Sequence, residues 1–226
     1  MFATDNNSRV LGAAFLLQAT TSLISGLILK AVLIVPGDIG RSMINVANHA
    51  WLLKVNILGE MTTAVGVVFL GSILFAVLRK QNEKMALVAL GFYILEAALL
   101  AASRIEAFAL LRLSQEYAKA GQSAYQETTG ALALESMDSG YMLLMLPFCL
   151  GAILFYYLFY KSGTVPRVLS LWGLIAVSVL LVGTLFAIWG HDVPFVVYIP
   201  YVPFEFVIGV WILVKGINEQ AVGRTA

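Results

Sequence analysis

Long uncharged apolar stretches are the feature that most restricts how this chain can fold. Of its 226 residues, 60% are hydrophobic and only 12% are charged, and the mean hydropathy is +0.89. A soluble globular chain has about twice that charged fraction. In lipid, backbone polar groups must be satisfied within the structure, so single apolar runs of about 20 residues form helices. The sequence therefore predicts an all-α, polytopic membrane protein.

Six transmembrane helices are expected, in a single domain over residues 1–226. Their approximate bounds are 9–35, 56–78, 85–113, 139–160, 168–190 and 195–214. The external segment 37–54 is amphipathic, because Ile39, Met43 and Val46 fall on one helical face. It is either an interfacial helix or an outward extension of the second helix. We favour the extension, because only Lys54 interrupts the passage into the second span.

The distribution of charged residues predicts the orientation of these helices. One set of ends and loops carries the basic residues Arg9, Arg79, Lys80, Lys84, Lys161, Arg167, Lys215 and Arg224. The acidic residues in that set are only Asp5, Glu83 and Glu219. The opposite loops carry Asp38, Glu116, Glu127, Glu135, Asp138 and Asp192. Because cytoplasmic loops are enriched in Lys and Arg, we expect both termini to be cytoplasmic.

Two glutamates lie within apolar runs. Glu96 lies between Met85 and Ser103, and Glu205 lies between Val193 and Val214. Counted from the basic end of each span, both residues are about 15 Å deep, close to the bilayer midplane. A lone carboxylate in hydrocarbon is costly, so the pattern indicates a functional or paired buried site.

The last span contains two prolines that interrupt its helix. Pro200 and Pro203 cannot donate backbone hydrogen bonds, so we expect a kink or a break at mid-depth. If the helix is broken, Glu205 lies near the first turn of the inner half, where free N–H groups favour negative charge. This arrangement resembles the discontinuous helices of transporters. The alternative is an ordinary kink in which a protonated Glu205 is hydrogen-bonded to a neighbouring helix.

A charged group is also predicted near the outer interface. Arg104 is expected there, level with Glu60 and Tyr141. One interpretation is a structural salt bridge between Arg104 and Glu60. The other is that these two residues and Glu106 line the mouth of a pocket whose floor holds the two mid-membrane acids. The complete set of candidate ligand-binding residues is Glu96, Glu205, Arg104, Glu60, Tyr141, Tyr201 and Gln18.

Several other functions are disfavoured by the sequence. The two histidines, His49 and His191, fall in external segments, so a haem or metal site within the membrane is not predicted. No Gly-rich phosphate loop is present, and we expect no cofactor. The net charge of +1 and the absence of a basic cluster argue against nucleic acid. The expected partners are membrane lipids and a small amphiphilic ligand, and the oligomeric state is not indicated.

The chain resembles a bacterial multi-pass membrane family. The loop KSGTVPRVLSLWG, from Lys161 to Gly173, carries the family's basic-Ser-Gly-x-x-Pro-Arg-x-Leu pattern. The other matching residues are Glu96, Asp138, Gly140, Tyr141 and Glu205. The family is known only as domain of unknown function 4386, and the resemblance covers roughly Ser8 to Gly216. It implies a six-helix bundle in the bacterial inner membrane and supplies no catalytic residue.

Three classes of function remain open from the sequence. The first is binding or transport of a small amphiphilic or lipid-like ligand at a mid-membrane acidic pocket. The second is a structural or regulatory membrane subunit, in which the buried acids only fix the helix register. The third is an intramembrane enzyme that uses the two acids as general acid and base on a lipid or isoprenoid. We favour binding or transport, because two acids at one depth lie beside a proline-interrupted helix.

Overall fold

The computed structural model describes residues 2–3, 6–28, 32–121 and 123–218. In this part the protein is helical apart from two short strands, β1 (Phe2–Ala3) and β2 (Ile217–Asn218), and a 3₁₀ turn at Phe195–Val197. The helices are α1 (Asn6–Ile28), α2 (Ile39–Asn48), α3 (Ala50–Leu78), α4 (Glu83–Ala120), α5 (Ala124–Ser162), α6 (Arg167–Ile188) and α7 (Tyr201–Lys215). Residues 29–31 of the first predicted span, and Asp5, Glu219 and Arg224 of the orientation count, lie outside the described residues.

Among the described residues, four helices are long and apolar enough to cross a membrane, namely α3, α4, α5 and α6. The prediction of an all-helical protein with membrane-spanning helices is confirmed at this level. The helix α1 has 23 residues, and α7 has only 15. Fifteen residues give about 22 Å of helix, which is less than the ~30 Å of the hydrocarbon core. The break in the last span has a local cause, because α7 begins directly after Pro200.

The external segment 37–54 contains two helices rather than one. Asp38 caps α2 by accepting a 2.8 Å hydrogen bond from the Arg41 amide. The helix α2 ends at Asn48, and α3 begins two residues later at Ala50. Met43 and Val46, from the apolar face of α2, are fully buried. An amphipathic α2 and an extended α3 therefore occur together.

The chain forms two compact units. The first contains residues 1–19, 65–97 and 142–226, and the second contains residues 20–64 and 98–141. The helices α1, α3, α4 and α5 contribute residues to both units, whereas α6 and α7 belong to the first and α2 belongs to the second.

In the first unit, α1 packs closely against α7. Gly12 allows this approach, because a Cβ atom on it would lie 2.5 Å from the backbone nitrogen of Leu213. Close helix packing at small residues is common in membrane proteins, where backbones can approach directly. The two ends of the unit are also joined, since β1 pairs antiparallel with β2. The Asn218 amide donates to the Thr164 carbonyl in the loop between α5 and α6, at 2.9 Å.

In the second unit, α2 contributes to an apolar core with α3, α4 and α5. The fully buried members of this core include Met43, Val46, Leu53, Ile57, Leu110 and Tyr117. Polar contacts join α1 to α3 in the same unit. Asn56 Nδ2 donates to the Ser25 carbonyl at 2.7 Å, and Thr63 Oγ1 donates to Thr21 Oγ1 at 2.8 Å. Such contacts satisfy polar side chains that would otherwise face lipid.

Candidate functional site

The first unit brings together the two glutamates of the apolar runs. Glu96 is on α4 and is only 5% exposed, and Glu205 is on α7 and is half-buried. Their carboxyl groups are close enough to interact electrostatically. Two acids on different helices therefore share one region of the first unit. We refer to Glu96, Glu205, Tyr201 and Tyr156 as the acidic site.

A chain of hydrogen bonds leads to one of the two carboxyl groups. Tyr201 Oη donates to Glu205 Oε1 at 2.9 Å and lies 2.9 Å from Tyr156 Oη. A hydroxyl group has one proton to donate, so when Tyr201 donates to Glu205, Tyr156 donates to Tyr201. A proton on Glu205 would allow the whole chain to reverse its direction. The arrangement therefore links the protonation of one acid to two buried hydroxyl groups.

Among the described residues, the carboxyl group of Glu96 has fewer hydrogen-bond partners than that of Glu205. The Oε2 atom of Glu96 is buried and has no hydrogen-bond partner among the described residues. Neighbouring groups that interact electrostatically with Glu96 are the carboxyl group of Glu205, the thiol of Cys149 and the hydroxyls of Tyr93 and Tyr156. Within the described part of the chain, no basic side chain interacts in this way with either acid. The charge of the acids must therefore be balanced by protons or by a bound cation.

The acidic site is surrounded by tightly fitted aromatic rings. Tyr93 lies between α3 and α5, where Cβ atoms on Gly71 and Gly151 would come within 3.1 and 2.7 Å of its ring. Both glycines occupy the same place in a sequence repeat, LGSILF from Leu70 and LGAILF from Leu150. This part of the repeat thus has a packing role, because each copy provides a flat surface for one side of the same ring.

A second aromatic contact positions α7 against α6. The ring of Phe204 lies against Gly173, where a Cβ atom would collide with Phe204 Cζ. The same ring makes edge contacts with Tyr156 and Trp172, at centroid distances of 5.0 and 5.8 Å. Trp172 Nε1 also donates to the carbonyl of Pro200 at 3.1 Å, just before α7 begins. These contacts fix the position of the helix that carries Tyr201 and Glu205.

The site has the chemistry of a cation or ammonium receptor. Carboxylate and phenol oxygens are hard donors that bind cations and N–H groups. The rings of Tyr156, Tyr201 and Phe204 contact one another beside these oxygens, and aromatic rings attract cations. The site lacks a hydroxyl nucleophile paired with an imidazole base, since neither histidine of the chain lies on α4, α5 or α7.

Four further residues were predicted to belong to the site, namely Gln18, Glu60, Arg104 and Tyr141. Gln18 is buried on α1 in the first unit. Glu60, Arg104 and Tyr141 belong to the second unit, where Arg104 interacts electrostatically with both of the others. Arg104 donates from Nε and Nη2 to Ser103 Oγ, at 3.2 and 2.9 Å.

Sequence reasoning missed Tyr156. Its neighbour Tyr157 is 42% exposed, whereas Tyr156 is fully buried and hydrogen-bonded. A signal was available in the repeat, because Tyr156 occupies the position that Ala76 has in the other copy. A tyrosine ring where the other copy has an alanine methyl group indicates that the tyrosine hydroxyl has a specific hydrogen-bond partner.

A groove of about 450 Å³ lies elsewhere in the first unit, between α6 and the segment 192–197. Its walls are apolar except for Ser178 and Asp192, and none of the predicted site residues lines it. The groove is therefore not part of the acidic site.

The sequence profile of one family, described as a domain of unknown function (DUF4386), matches residues 10–216. No curated protein and no solved structure matches the chain. The family match confirms the resemblance that was identified from the loop of Lys161 to Gly173. Because it spans most of the sequence, the protein belongs to the DUF4386 family.

Proposed function

We propose that this protein binds and transports a small cationic amphiphile at the acidic site, in exchange for protons. The supporting observation is the buried, unpartnered Oε2 atom of Glu96 beside Glu205, without a basic side chain among the described neighbours. An unpaired charge within the membrane is costly. Without a bound cation the two acids are therefore protonated, and a bound cation replaces a proton.

The proposed topology is six crossings in the bacterial inner membrane, with both termini cytoplasmic. The four apolar helices α3–α6 supply four crossings, and α1 and the segment from Phe195 through α7 supply the others. The pairing of β1 with β2 supports a common side for both chain ends. The concentration of basic residues at those ends supports the cytoplasmic side.

The position of Glu205 on α7 also supports transport. The helix α7 is short and begins at a proline turn, like the discontinuous helices that hold substrates near the midplane of transporters. Glu205 lies one turn into this helix, where it receives a hydrogen bond from Tyr201 in its first turn. A movement of α7 would change the environment of Glu205 and its hydrogen-bonded hydroxyl groups together.

The charge preference of the site can be tested with two probes of matched shape. Tetraphenylphosphonium and tetraphenylborate are apolar ions of similar size and opposite charge. We expect the purified protein in nanodiscs to bind the cation and not the anion, as measured by equilibrium dialysis. Binding should release about one proton per protein, because the cation replaces a proton. A pH indicator in weakly buffered solution measures that release.

Variants of the two acids locate the binding. Glu205→Gln and Glu96→Gln should each weaken cation binding by about 2 kcal/mol or more, roughly thirty-fold. Glu116→Gln, an exposed acid on α4, is the matched control and should bind normally. Equal binding of the two probes would refute the proposal. Normal binding by both acid variants, with only their stability reduced, would instead indicate a structural subunit.

A further inference from the structure

A second polar cluster lies in the second unit, and it is built around a buried arginine. Arg104 on α4 is only 5% exposed. Among the described residues its hydrogen bonds go to one acceptor, Ser103 Oγ, which itself donates to the Leu100 carbonyl at 2.8 Å. A guanidinium group has five N–H donors in a fixed fork. Most of the donor capacity of Arg104 is therefore directed at no protein acceptor in the described part of the chain.

The acid that interacts with this arginine does not satisfy it directly. Glu60 on α3 is 6% exposed and interacts electrostatically with Arg104. No ion pair within 4.0 Å joins the two side chains among the described residues. A buried cation and a buried anion without direct contact each need a further polar partner, and one group could serve both. Such a group must offer an acceptor to Arg104 and a donor to Glu60.

A third side chain adds to the acceptor side of this cluster. Asn56 lies one helical turn before Glu60 on the same face of α3. Its Nδ2 atom donates to the Ser25 carbonyl, but its Oδ1 atom is buried and unpartnered among the described residues. The α3 side of the cluster thus presents acceptors, and the α4 side presents donors.

The depth of the cluster matches a lipid headgroup. Glu60 lies at one end of the uncharged stretch 61–78, and Arg79 lies at the other. This stretch gives about 27 Å of helix, which is close to the ~30 Å thickness of the hydrocarbon core. Glu60 is therefore at a membrane boundary, where lipid phosphates are found. Tyr141, a half-exposed ring that interacts electrostatically with Arg104, is typical of the same depth.

We infer that Glu60 and Arg104 bind the zwitterionic headgroup of a phosphoethanolamine lipid. The phosphate accepts hydrogen bonds from the Arg104 guanidinium, which suits phosphate geometry. The ammonium group donates to the Glu60 carboxylate and to Asn56 Oδ1. An anionic headgroup without an ammonium group leaves Glu60 unpaired, and a free soluble phosphoethanolamine lacks the acyl chains that hold the headgroup at this depth. This inference does not depend on the acidic site.

The test is lipid binding measured by native mass spectrometry on the intact protein released from detergent. Phosphatidylethanolamine should bind about tenfold more tightly than phosphatidylglycerol, because only the former satisfies both charges. Free O-phosphoethanolamine at the same concentration should not compete. This comparison uses the wild-type protein and so requires no variant to fold. Equal affinity for the two lipids would overturn the inference, and competition by the soluble compound would overturn the lipid source.

Substitutions test the phosphate and ammonium contacts of the headgroup separately. Glu60→Gln should abolish the preference for phosphatidylethanolamine while leaving phosphatidylglycerol binding intact. Arg104→Lys keeps a charge but loses the fork, so it should weaken binding of both lipids about tenfold or more. Arg112→Gln, an exposed basic residue on α4, is the control and should bind both lipids as the wild type does. Unchanged selectivity in Glu60→Gln, or unchanged affinity in Arg104→Lys, would refute the assignment.

Discussion

The close contact between α1 and α7 predicts that a single methyl group added at Gly12 will destabilise the protein. In Gly12→Ala, the new Cβ would lie 2.5 Å from the Leu213 nitrogen, 2.8 Å from Leu213 Cα and 2.9 Å from the Gly209 carbonyl oxygen. All three atoms belong to the backbone, so no side-chain rotation relieves the contact. Carbon atoms pack at about 3.5–4.0 Å. The two helices must therefore separate by about 1 Å.

The energetic effect follows from two opposing terms. Overpacking of a well-packed interior costs about 1–3 kcal/mol. Replacing a helical Gly by Ala gains about 0.5–1 kcal/mol. The variant Gly91→Ala provides the second term alone, since a Cβ on Gly91 of α4 meets nothing within 4 Å. The difference in unfolding free energy between the two variants isolates the clash, at about 1–3 kcal/mol.

The single cysteine provides the assay. Cys149 is fully buried, so a thiol-reactive fluorescent maleimide will label it when the first unit unfolds. We expect Gly12→Ala to unfold about 2–12 °C below Gly91→Ala, at about 2–4 °C per kcal/mol for a chain of this size. Because α7 carries Glu205, cation binding should also weaken in Gly12→Ala. Equal midpoints for the two variants would show that α1 and α7 are not in backbone contact.

Two further predictions concern the acidic site. Tyr156→Phe removes the donor to Tyr201 and should lower the free energy of unfolding by about 0.5–1.5 kcal/mol. Tyr157→Phe, at a half-exposed ring, should change it by less than about 0.5 kcal/mol. The Cys149 labelling assay compares the two variants, and equal effects would refute the hydrogen-bond chain. Tetraphenylphosphonium has the same charge at every pH, so its affinity should rise with pH by about tenfold per unit for one displaced proton. A pH-independent dissociation constant in equilibrium dialysis would contradict the exchange of cation for proton.

Much of the helical structure could be predicted because the bilayer limits the possible structures so strongly. The run of uncharged residues after Glu60 predicted α3 as a crossing helix, and its end at Leu78 matches the predicted bound of 78. The favoured outward extension of this helix is present, but it begins at Ala50 and is separate from α2. Lys54 does not end a helix that continues into the aqueous phase, so charge alone does not indicate where such a helix begins.

The sequence could predict the depth of the site residues along the membrane normal, but not their positions around each helix axis. Counting residues placed Glu96 and Glu205 at one depth, and the structure brings them together in the first unit. Depth carries no information about rotation of a helix about its axis. Tyr156 and Tyr157 are adjacent, yet only the first reaches Tyr201. That difference depends on contacts such as Tyr93 against Gly151, which involve residues distant in sequence.

The charged residues Arg104 and Glu60 show a related limit. Sequence spacing placed Arg104 level with Glu60, and the structure shows that they interact electrostatically without forming an ion pair among the described residues. Whether two charged groups touch or remain a few ångströms apart depends on packing. Here a Cβ on Gly140 would lie 2.9 Å from Ser103 Cβ, so α5 closely approaches the residue that holds the guanidinium group.

The contacts between the two ends of the chain impose an order on biogenesis. Strand β1 and the Gly12 surface of α1 are synthesised before their partners, β2 and Leu213 of α7. The glycine surface of α1 therefore stays uncovered while the intervening helices are made. A nascent chain that stops before α7 cannot complete the first unit, and the uncovered Gly12 surface of its α1 distinguishes an unfinished copy from a finished one.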